Sequence, residues 1–136
     1  MKMNSKKYIK LFMDKQLPEE LSSSDCGKFY RLIMYMVGDN QFLGRRGSKG
    51  FRPLTVLHIA TILCITERQA KNFLKKMEEY RIFKRVLVGD EEWYAVNPLY
   101  ALKNKYISFT TFTIFADELK GEIPDSVFYK FMNDFK

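Results

Sequence analysis

Apolar residues recur at helical spacing in the first half of the chain. Residues at positions i, i+3, i+4 and i+7 share one face of an α-helix, so this spacing indicates a face that packs into a core. It predicts a helix over about residues 25–37, with Ser23 or Ser24 as its cap. A short helix over about 56–63 follows, with Thr55 as its cap. The two apolar stripes are Phe29, Leu32, Ile33 and Met36, and Val56, Ile59, Ala60 and Leu63.

A turn of about three residues connects the short helix to a third helix. Thr66 caps the third helix, and Gln69 stands three residues later. This capping-box pattern satisfies two of the amides that lack partners at a helix start. We therefore predict two helices that are joined by a tight turn and packed through facing stripes. The stripe of the third helix is Ala70, Phe73, Leu74 and Met77.

The pattern then changes to the alternation that is typical of strands. The segment IFKRVLV at 82–88 predicts one strand, and EWYAV at 92–96 predicts a second after a tight Gly-Asp-Glu turn. Trp93 and Tyr94 are interpreted as packing residues rather than base-stacking platforms. By contrast, residues 42–53 (FLGRRGSKGFRP) contain three glycines and four positive charges, and they are predicted to form a basic loop.

Both ends of the chain carry further apolar segments. Residues 7–13 fit a short strand or a docked arm. Ser108 and Gly121 fit the cap and the stop of a helix, although the Thr and Phe content between them would also suit a strand. A last helix, predicted from about residue 124, offers a dimer or protein contact, with a place in the chain's own core as the alternative. The stripes of these two helices are Phe109, Phe112, Phe115 and Leu119, and Phe128, Phe131, Met132 and Phe135.

Composition and charge narrow the class of partner. The chain has 136 residues, 46% of them hydrophobic and 29% charged, which fits one globular domain. Aromatic residues make up 15%, which favours self-association. Residues 41–85 hold eleven Lys or Arg and three Glu, so this segment carries the whole excess of the +7 net charge. Such clustering indicates a polyanionic partner, usually nucleic acid, with a solubilising surface as the plainer alternative.

The order helix, basic loop, short helix, tight turn, basic helix and hairpin is that of a winged helix-turn-helix. In that fold the second helix of the turn enters the major groove of double-stranded DNA. The predicted fold class is mainly α with a small antiparallel β-hairpin (α+β). The predicted divisions are an N-terminal arm or short strand over 1–24, the winged helix-turn-helix domain over 25–107, and a C-terminal helical extension over 108–136 with a possible dimer contact.

Candidate DNA-binding residues lie on the outward face of the third helix. Arg68 could pair with guanine O6 and N7, and Asn72 with adenine N6 and N7. The amides that follow Thr66 could bind a phosphate, where lysines are also suited by charge alone. A solvated basic face and a solubility loop are the alternatives. The predicted phosphate-binding cations are Lys71, Lys75 and Lys76 of the helix, and Arg45, Arg46 and Lys49 of the loop.

The segment PLTVLHIATILCITERQAKNFLKKMEEYRIFKR resembles the winged-helix core of bacterial regulators of the MarR type. The flanking segments YIKLF and WYAVNPLYALKNKYI resemble Rep-type winged-helix proteins of Gram-positive plasmids and phages. Together these resemblances cover about residues 25–107 and imply a DNA-binding protein. The matching positions are Ile59, Ala60, Thr66, Met77, Glu78, Ile82 and Arg85 in the core, and Tyr94, Asn97, Pro98 and Lys103 after the hairpin.

The sequence departs from the usual pattern of these proteins at two positions. Arg81 stands where the MarR type usually has Gly after the recognition helix, and a positive φ there costs a non-glycine residue about 1 kcal/mol. Either Arg81 accepts that strain or the helix ends differently. The hairpin tip at 89–92 is Gly-Asp-Glu-Glu, and phosphate would repel its acids. We therefore predict that this tip does not bind DNA and that the basic loop, including Arg52, supplies phosphate contacts instead.

Little in the sequence favours an enzyme, a metal or a cofactor. His58 is the single histidine and is interpreted as a packing or exposed residue. Cys26 and Cys64 are interpreted as reduced thiols at or near the core of a cytoplasmic protein. No secretion signal or membrane span is predicted. Three functions remain: a phage- or plasmid-type transcriptional regulator acting as a homodimer, a replication initiator or accessory protein, and a winged-helix module for protein contact.

Overall fold

The structure is a computed structural model that describes residues 16–103, 107–120 and 122. It combines helices with antiparallel strands, which follow one another in groups along the chain. Within these residues, three helices precede or connect the strands, and two short helices follow them. In chain order the elements are α1 (Ser23–Ile33), β1 (Met36–Val37), β2 (Phe42–Gly47), β3 (Gly50–Pro53), α2 (Val56–Leu63), α3 (Glu67–Glu79), β4 (Phe83–Val88), β5 (Glu91–Val96), α4 (Phe109–Ile114) and α5 (Ala116–Lys120).

The strands form one open antiparallel sheet in which β5 lies between β2 and β4. The order is β1-β2-β5-β4, and β3 pairs with β2 outside this path. Phe42 lies opposite Ala95, and Phe83 lies opposite Val96. The predicted α+β composition is confirmed, and so is the hairpin after α3. The sheet is larger than the small hairpin that the sequence predicts.

The segment predicted as a basic loop is a second β-hairpin. Residues 42–53 form β2 and β3, with Gly47 opposite Gly50 and a two-residue connection between them. The loop prediction is wrong here because the segment pairs through its backbone and lacks an apolar-polar alternation. We call residues 42–53 the basic hairpin and residues 83–96, which form β4 and β5, the acidic hairpin.

Helix α1 differs at both ends from its prediction. Ser22 is the cap, because its Oγ accepts a hydrogen bond of 3.1 Å from the Asp25 amide, so the assignment to Ser23 or Ser24 is wrong. The helix ends at Ile33 rather than near residue 37. Met36 and Val37 instead pair with β2, so Met36 reaches the core from a strand.

Phe83 lies at the centre of the main core. Its side chain is 1% exposed, and its ring centroid lies 6.0 Å from that of Phe29 on α1 and 6.3 Å from that of Phe73 on α3. The predicted stripe residues of α2 and α3 are buried in the same cluster, except for the partly buried Val56. The position of α3 is therefore fixed from behind by α1, α2 and the start of β4.

The described part of the C-terminal extension packs against the sheet of its own chain. Phe112, Phe115 and Leu119 are buried in a second cluster with Ala95 of β5. Ser108 caps α4 as predicted, but the one predicted helix is two, since α4 ends at Ile114 and α5 begins at Ala116. The Glu118 carboxylate, 4% exposed, bonds Lys84 Nζ at 2.8 Å and ties α5 to β4. The predictions for residues 7–13 and for the last helix lie outside the described residues.

Gly44 is a position where the sheet leaves no room for a side chain. A Cβ added there would lie 2.6 Å from Val37 Cγ2, 2.8 Å from the Arg52 carbonyl oxygen and 2.9 Å from Trp93 Cζ3. We expect Gly44→Ala to lower the free energy of unfolding by about 1–2 kcal/mol, because β1, β3 and β5 would have to separate.

Urea denaturation of Gly44→Ala and Gly27→Ala measures this effect with a matched control. Gly27 lies inside α1, and an added Cβ there meets nothing within 4 Å. Alanine should stabilise α1 by about 0.5–1 kcal/mol at that position. Equal effects of the two substitutions would contradict the close packing described around Gly44.

Candidate nucleic-acid interface

Local hydrogen bonds fix the start of α3, as predicted. Thr66 Oγ1 accepts from the Gln69 amide at 3.1 Å, and the Thr66 amide donates to Gln69 Oε1 at 2.9 Å. Thr55 and His58 form the equivalent box at the start of α2. Between the two helices, Cys64 adopts a left-handed conformation with φ 57°, which makes the turn tight. The two helices are therefore capped, closely connected and packed on one core.

The outward face of α3 carries most of the predicted DNA-binding residues. Arg68, Lys71, Asn72 and Lys75 are all exposed, whereas Ala70, Phe73, Leu74 and Met77 are buried. Glu67 Oε1 lies 3.9 Å from Lys71 Nζ, and both side chains are more than half exposed, so this ion pair holds the lysine only weakly. The face thus presents three cations, one amide side chain and the Glu67 carboxylate to solvent.

Lys76 differs from the other predicted phosphate-binding lysines because it bonds within the protein. Its Nζ lies 2.8 Å from Asp25 Oδ2 on α1, and the Asp25 side chain is 8% exposed. Burial by itself would raise the pKa of Asp25, but the hydrogen bond and charge of Lys76 outweigh it and lower that pKa below 3.8. The same bond raises the pKa of Lys76 above 10.5. A phosphate would have to compete with Asp25 for this lysine.

The Asp25–Lys76 pair gives the stability of the protein a defined dependence on pH. Because its pKa is lowered on folding, Asp25 contributes stability that is present above its ordinary value of 3.8 and is lost as pH falls through the lowered value. Asp25→Asn should therefore lower the free energy of unfolding near neutral pH by about 1 kcal/mol. The effect is no larger because Lys76 is about half exposed, and solvent screens its charge.

Urea titrations from about pH 3 to pH 7 measure this dependence. The difference between parent and Asp25→Asn should shrink toward the acid end, since Asp25 of the unfolded parent becomes protonated near its ordinary value of 3.8 and Asp25 of the folded parent only at a lower pH. Glu19→Gln, which changes an exposed carboxylate in a turn, is the control. A difference between parent and Asp25→Asn that is the same at every pH would contradict the ion pair.

The basic hairpin presents its cations on two faces. Arg45 lies opposite Arg52, and Arg46 lies opposite Phe51, so these pairs point to opposite sides of the two strands. Lys49 occupies the turn. All five side chains are exposed. The predicted phosphate-binding residues of this segment are therefore held on paired strands rather than on an open loop.

The two hairpins point in the same direction and touch near their tips. Since β2 is antiparallel to β5, it runs from Phe42 toward the turn that joins β4 and β5. Arg52 NH2 lies 2.6 Å from Glu91 Oε2, which connects the tip regions directly. In addition, Arg85 bonds Glu78 at 2.6 Å and lies 3.7 Å from Glu92. Two of the three acids at this tip therefore face arginines of the same chain.

Arg81 accepts the left-handed conformation that its position requires, with φ 58°. Asn97 Nδ2 donates to the Arg81 carbonyl oxygen at 2.9 Å, and the Asn97 amide donates to Ile82 O at 2.8 Å. The Arg81 guanidinium also lies 3.8 Å from the buried carboxylate of Glu118. The asparagine after β5 and the C-terminal extension thus both support the strained exit from α3.

Gln41 is a positioning residue that the sequence does not reveal. It is 2% exposed and has φ 66°. Its Nε2 donates to Val96 O at 3.2 Å and to Ala101 O at 2.6 Å, and its Oε1 accepts from the Lys103 amide at 3.0 Å. These bonds join the start of the basic hairpin to the end of the acidic hairpin. A lone glutamine in a polar turn carries no pattern that would indicate this role.

The other aromatic and cysteine residues that the sequence singles out are not part of this interface. Trp93 and Tyr94 are 8% exposed, which confirms their assignment as packing residues, and burial raises the pKa of Tyr94 above 10.0. Cys26 and Cys64 are free thiols, but Cys64 is exposed and its assignment to the core is wrong. Across the described ranges, no cluster of His, Cys, Asp and Glu could hold a metal ion. No helix in the same ranges is long and apolar enough to cross a membrane.

No family model matches this chain, and neither a curated protein nor a solved structure matches it. The function is therefore inferred from the geometry and charge of the chain's own residues.

Proposed function

We propose that this chain is a winged helix-turn-helix protein that binds double-stranded DNA sequence-specifically, as a phage- or plasmid-type transcriptional regulator. One observation carries the proposal: the capped helix α3 exposes Arg68, Lys71, Asn72 and Lys75 over a fully buried stripe. A major groove about 12 Å wide admits such a helix when its polar side chains face outward and its apolar side is held by the protein.

The sheet gives the proposal a second line of support. A strand from before α2 pairs beside the hairpin that follows α3, in the order β2-β5-β4, so two hairpins extend alongside the helix pair. The acidic hairpin corresponds to the wing of this fold. Because Glu91 and Glu92 face arginines of the same chain, the wing tip is less repulsive to phosphate than its sequence indicates. The basic hairpin is the better phosphate-binding element of the two.

Each exposed residue has a role in the proposed complex. Arg68 and Asn72 read base edges, since a guanidinium matches guanine and an amide matches adenine. Lys71, Lys75, Arg45, Arg46 and Lys49 neutralise phosphates, which sets affinity and register. The protein acts in the cytoplasm as a homodimer on a two-fold symmetric site.

A footprint of the purified full chain on DNA of its own genome tests the proposal. Protection within the chain's own promoter supports the regulator. Protection of repeats at a replication origin would replace it with the replication initiator, the function that the flanking segments favour by resemblance. Absence of any protected site, together with capture of a protein by the acidic hairpin, would leave the third function, a module for protein contact.

A further inference from the structure

A concave surface on one side of the basic hairpin combines exposed apolar groups with cations. It is lined by Met34 and Tyr35 at the end of α1 and by Arg45, Arg46 and Phe51 of the hairpin. Met34, Tyr35 and Phe51 are 54%, 40% and 43% exposed, which is unusual for three large apolar side chains on one small surface. We call this surface the hairpin pocket.

The hairpin pocket is positively charged. None of its lining residues in the described part of the chain is Asp or Glu, and Lys103 adds a second cation to that of Arg46, since the Arg45 side chain points to the other side of the hairpin. The Lys103 Nζ donates to the Gly38 carbonyl oxygen at 3.1 Å, so its charge is held in place beside the pocket. A neutral apolar partner would leave these charges uncompensated, whereas an apolar group that is attached to an anion would match both features.

Arg46 and Phe51 form the centre of this arrangement. They lie opposite each other in the strand register, and the guanidinium carbon of Arg46 lies 5.5 Å from the centroid of the Phe51 ring. This cation–π contact holds the charge next to an aromatic surface that remains partly open. Single-stranded nucleic acids are bound by this combination, in which bases stack on aromatic side chains and cations follow the backbone.

We propose that the hairpin pocket binds an unpaired nucleotide of a DNA strand. The base contacts Phe51 and Tyr35, and its phosphate lies against Arg46, with Lys103 at the edge of the pocket. The inference rests on the proposed function only in that DNA is the ligand, and it adds a second mode of binding in which Arg46 contacts a strand whose bases are not paired. Helix α3 binds the duplex, and the hairpin pocket binds a strand whose bases are not paired. Binding here is tolerant of sequence, because every base has a face that can stack.

Fluorescence anisotropy with the full chain tests this proposal on two labelled probes, a single strand of about 16 nucleotides and the duplex of the same sequence. The parent should bind both. Phe51→Ala should weaken binding of the single strand by about fivefold to a hundredfold, the value for loss of one stacked base, and leave the duplex unchanged. Phe51→Tyr keeps an aromatic ring and should bind like the parent. Arg68→Ala should show the reverse, a loss on the duplex alone.

Several results would overturn the proposal. One is that the parent does not bind the single strand. Another is that Phe51→Ala binds the single strand as tightly as the parent does. A third is that Phe51→Ala loses equal affinity for the single strand and for the duplex. A free deoxynucleoside monophosphate that competes at the same concentration as the strand would also overturn it, because the pocket would then serve a small ligand. If Phe51→Ala does not fold, Tyr35→Ala replaces it in the test, because it removes the other ring of the pocket and should likewise weaken binding of the single strand alone. Loss of duplex binding by the parent, with single-strand binding kept, would reject the proposed function and leave this inference standing.

Discussion

Arg68→Ala is expected to weaken binding of the specific duplex by about 1–3 kcal/mol and to relax the preference at one base pair. Arg68 lies in the first turn of α3, exposed, on the side opposite the buried Ala70 and Phe73. A bidentate contact with guanine depends on the shape of the guanidinium, so its loss removes discrimination as well as affinity. Competition with duplexes that carry each base at every position of the site measures both quantities.

Lys75→Ala is the matched variant for that measurement. Lys75 is exposed one turn after Lys71 on the same helix. Because a lysine binds phosphate mainly through its charge, its loss should weaken all sequences alike and leave the base preference unchanged. If both variants bind like the parent, α3 does not lie in the groove.

Phe83→Ala is expected to lower the free energy of unfolding by about 3–5 kcal/mol, the largest effect of any substitution considered. Phe83 is almost fully buried and contacts the rings of Phe29 and Phe73, so truncation opens a cavity where α1, α3 and β4 meet. Duplex binding should fall with the folded fraction, because the position of α3 depends on this core.

Leu87→Ala on the same strand is the control for Phe83→Ala. Leu87 is 71% exposed, so its truncation should change the free energy of unfolding by less than about 0.5 kcal/mol. Chemical denaturation of the two variants measures the contrast. Comparable stability of the two variants would contradict the packing described for α3 against β4.

The parts of the fold that depend on local sequence could be predicted. The caps at Thr55 and Thr66 and the box of Thr66 with Gln69 use partners three residues away, so they are visible in the sequence and are confirmed. The stripe of α3 is confirmed for the same reason, since helical spacing relates neighbouring turns. The box of Thr55 with His58 is not predicted, since His58 is interpreted only as a packing or exposed residue. The hairpin after α3 combines alternation with a short turn and is also confirmed.

The parts that depend on distant partners could not be predicted. The basic hairpin has no alternating pattern, and its strand β2 is held by backbone pairing with β1, β3 and β5. The bond from Lys76 to Asp25 joins residues that lie far apart in sequence, so Lys76 could not be told apart from Lys75. The sequence leaves open whether Arg81 accepts strain or the helix ends differently, because the support of Arg81 by Asn97 depends on where β5 ends.

The salt dependence of duplex binding tests the central claim most directly. If Lys71, Lys75, Arg45, Arg46 and Lys49 neutralise phosphates, the logarithm of the affinity should fall with the logarithm of salt concentration with a slope of about −4.5 for each protomer that binds. Between about 50 and 200 mM salt the affinity should then decrease a hundredfold or more. An affinity that stays constant over this range, or no binding at the lower salt concentration, would contradict a DNA-binding function for this protein.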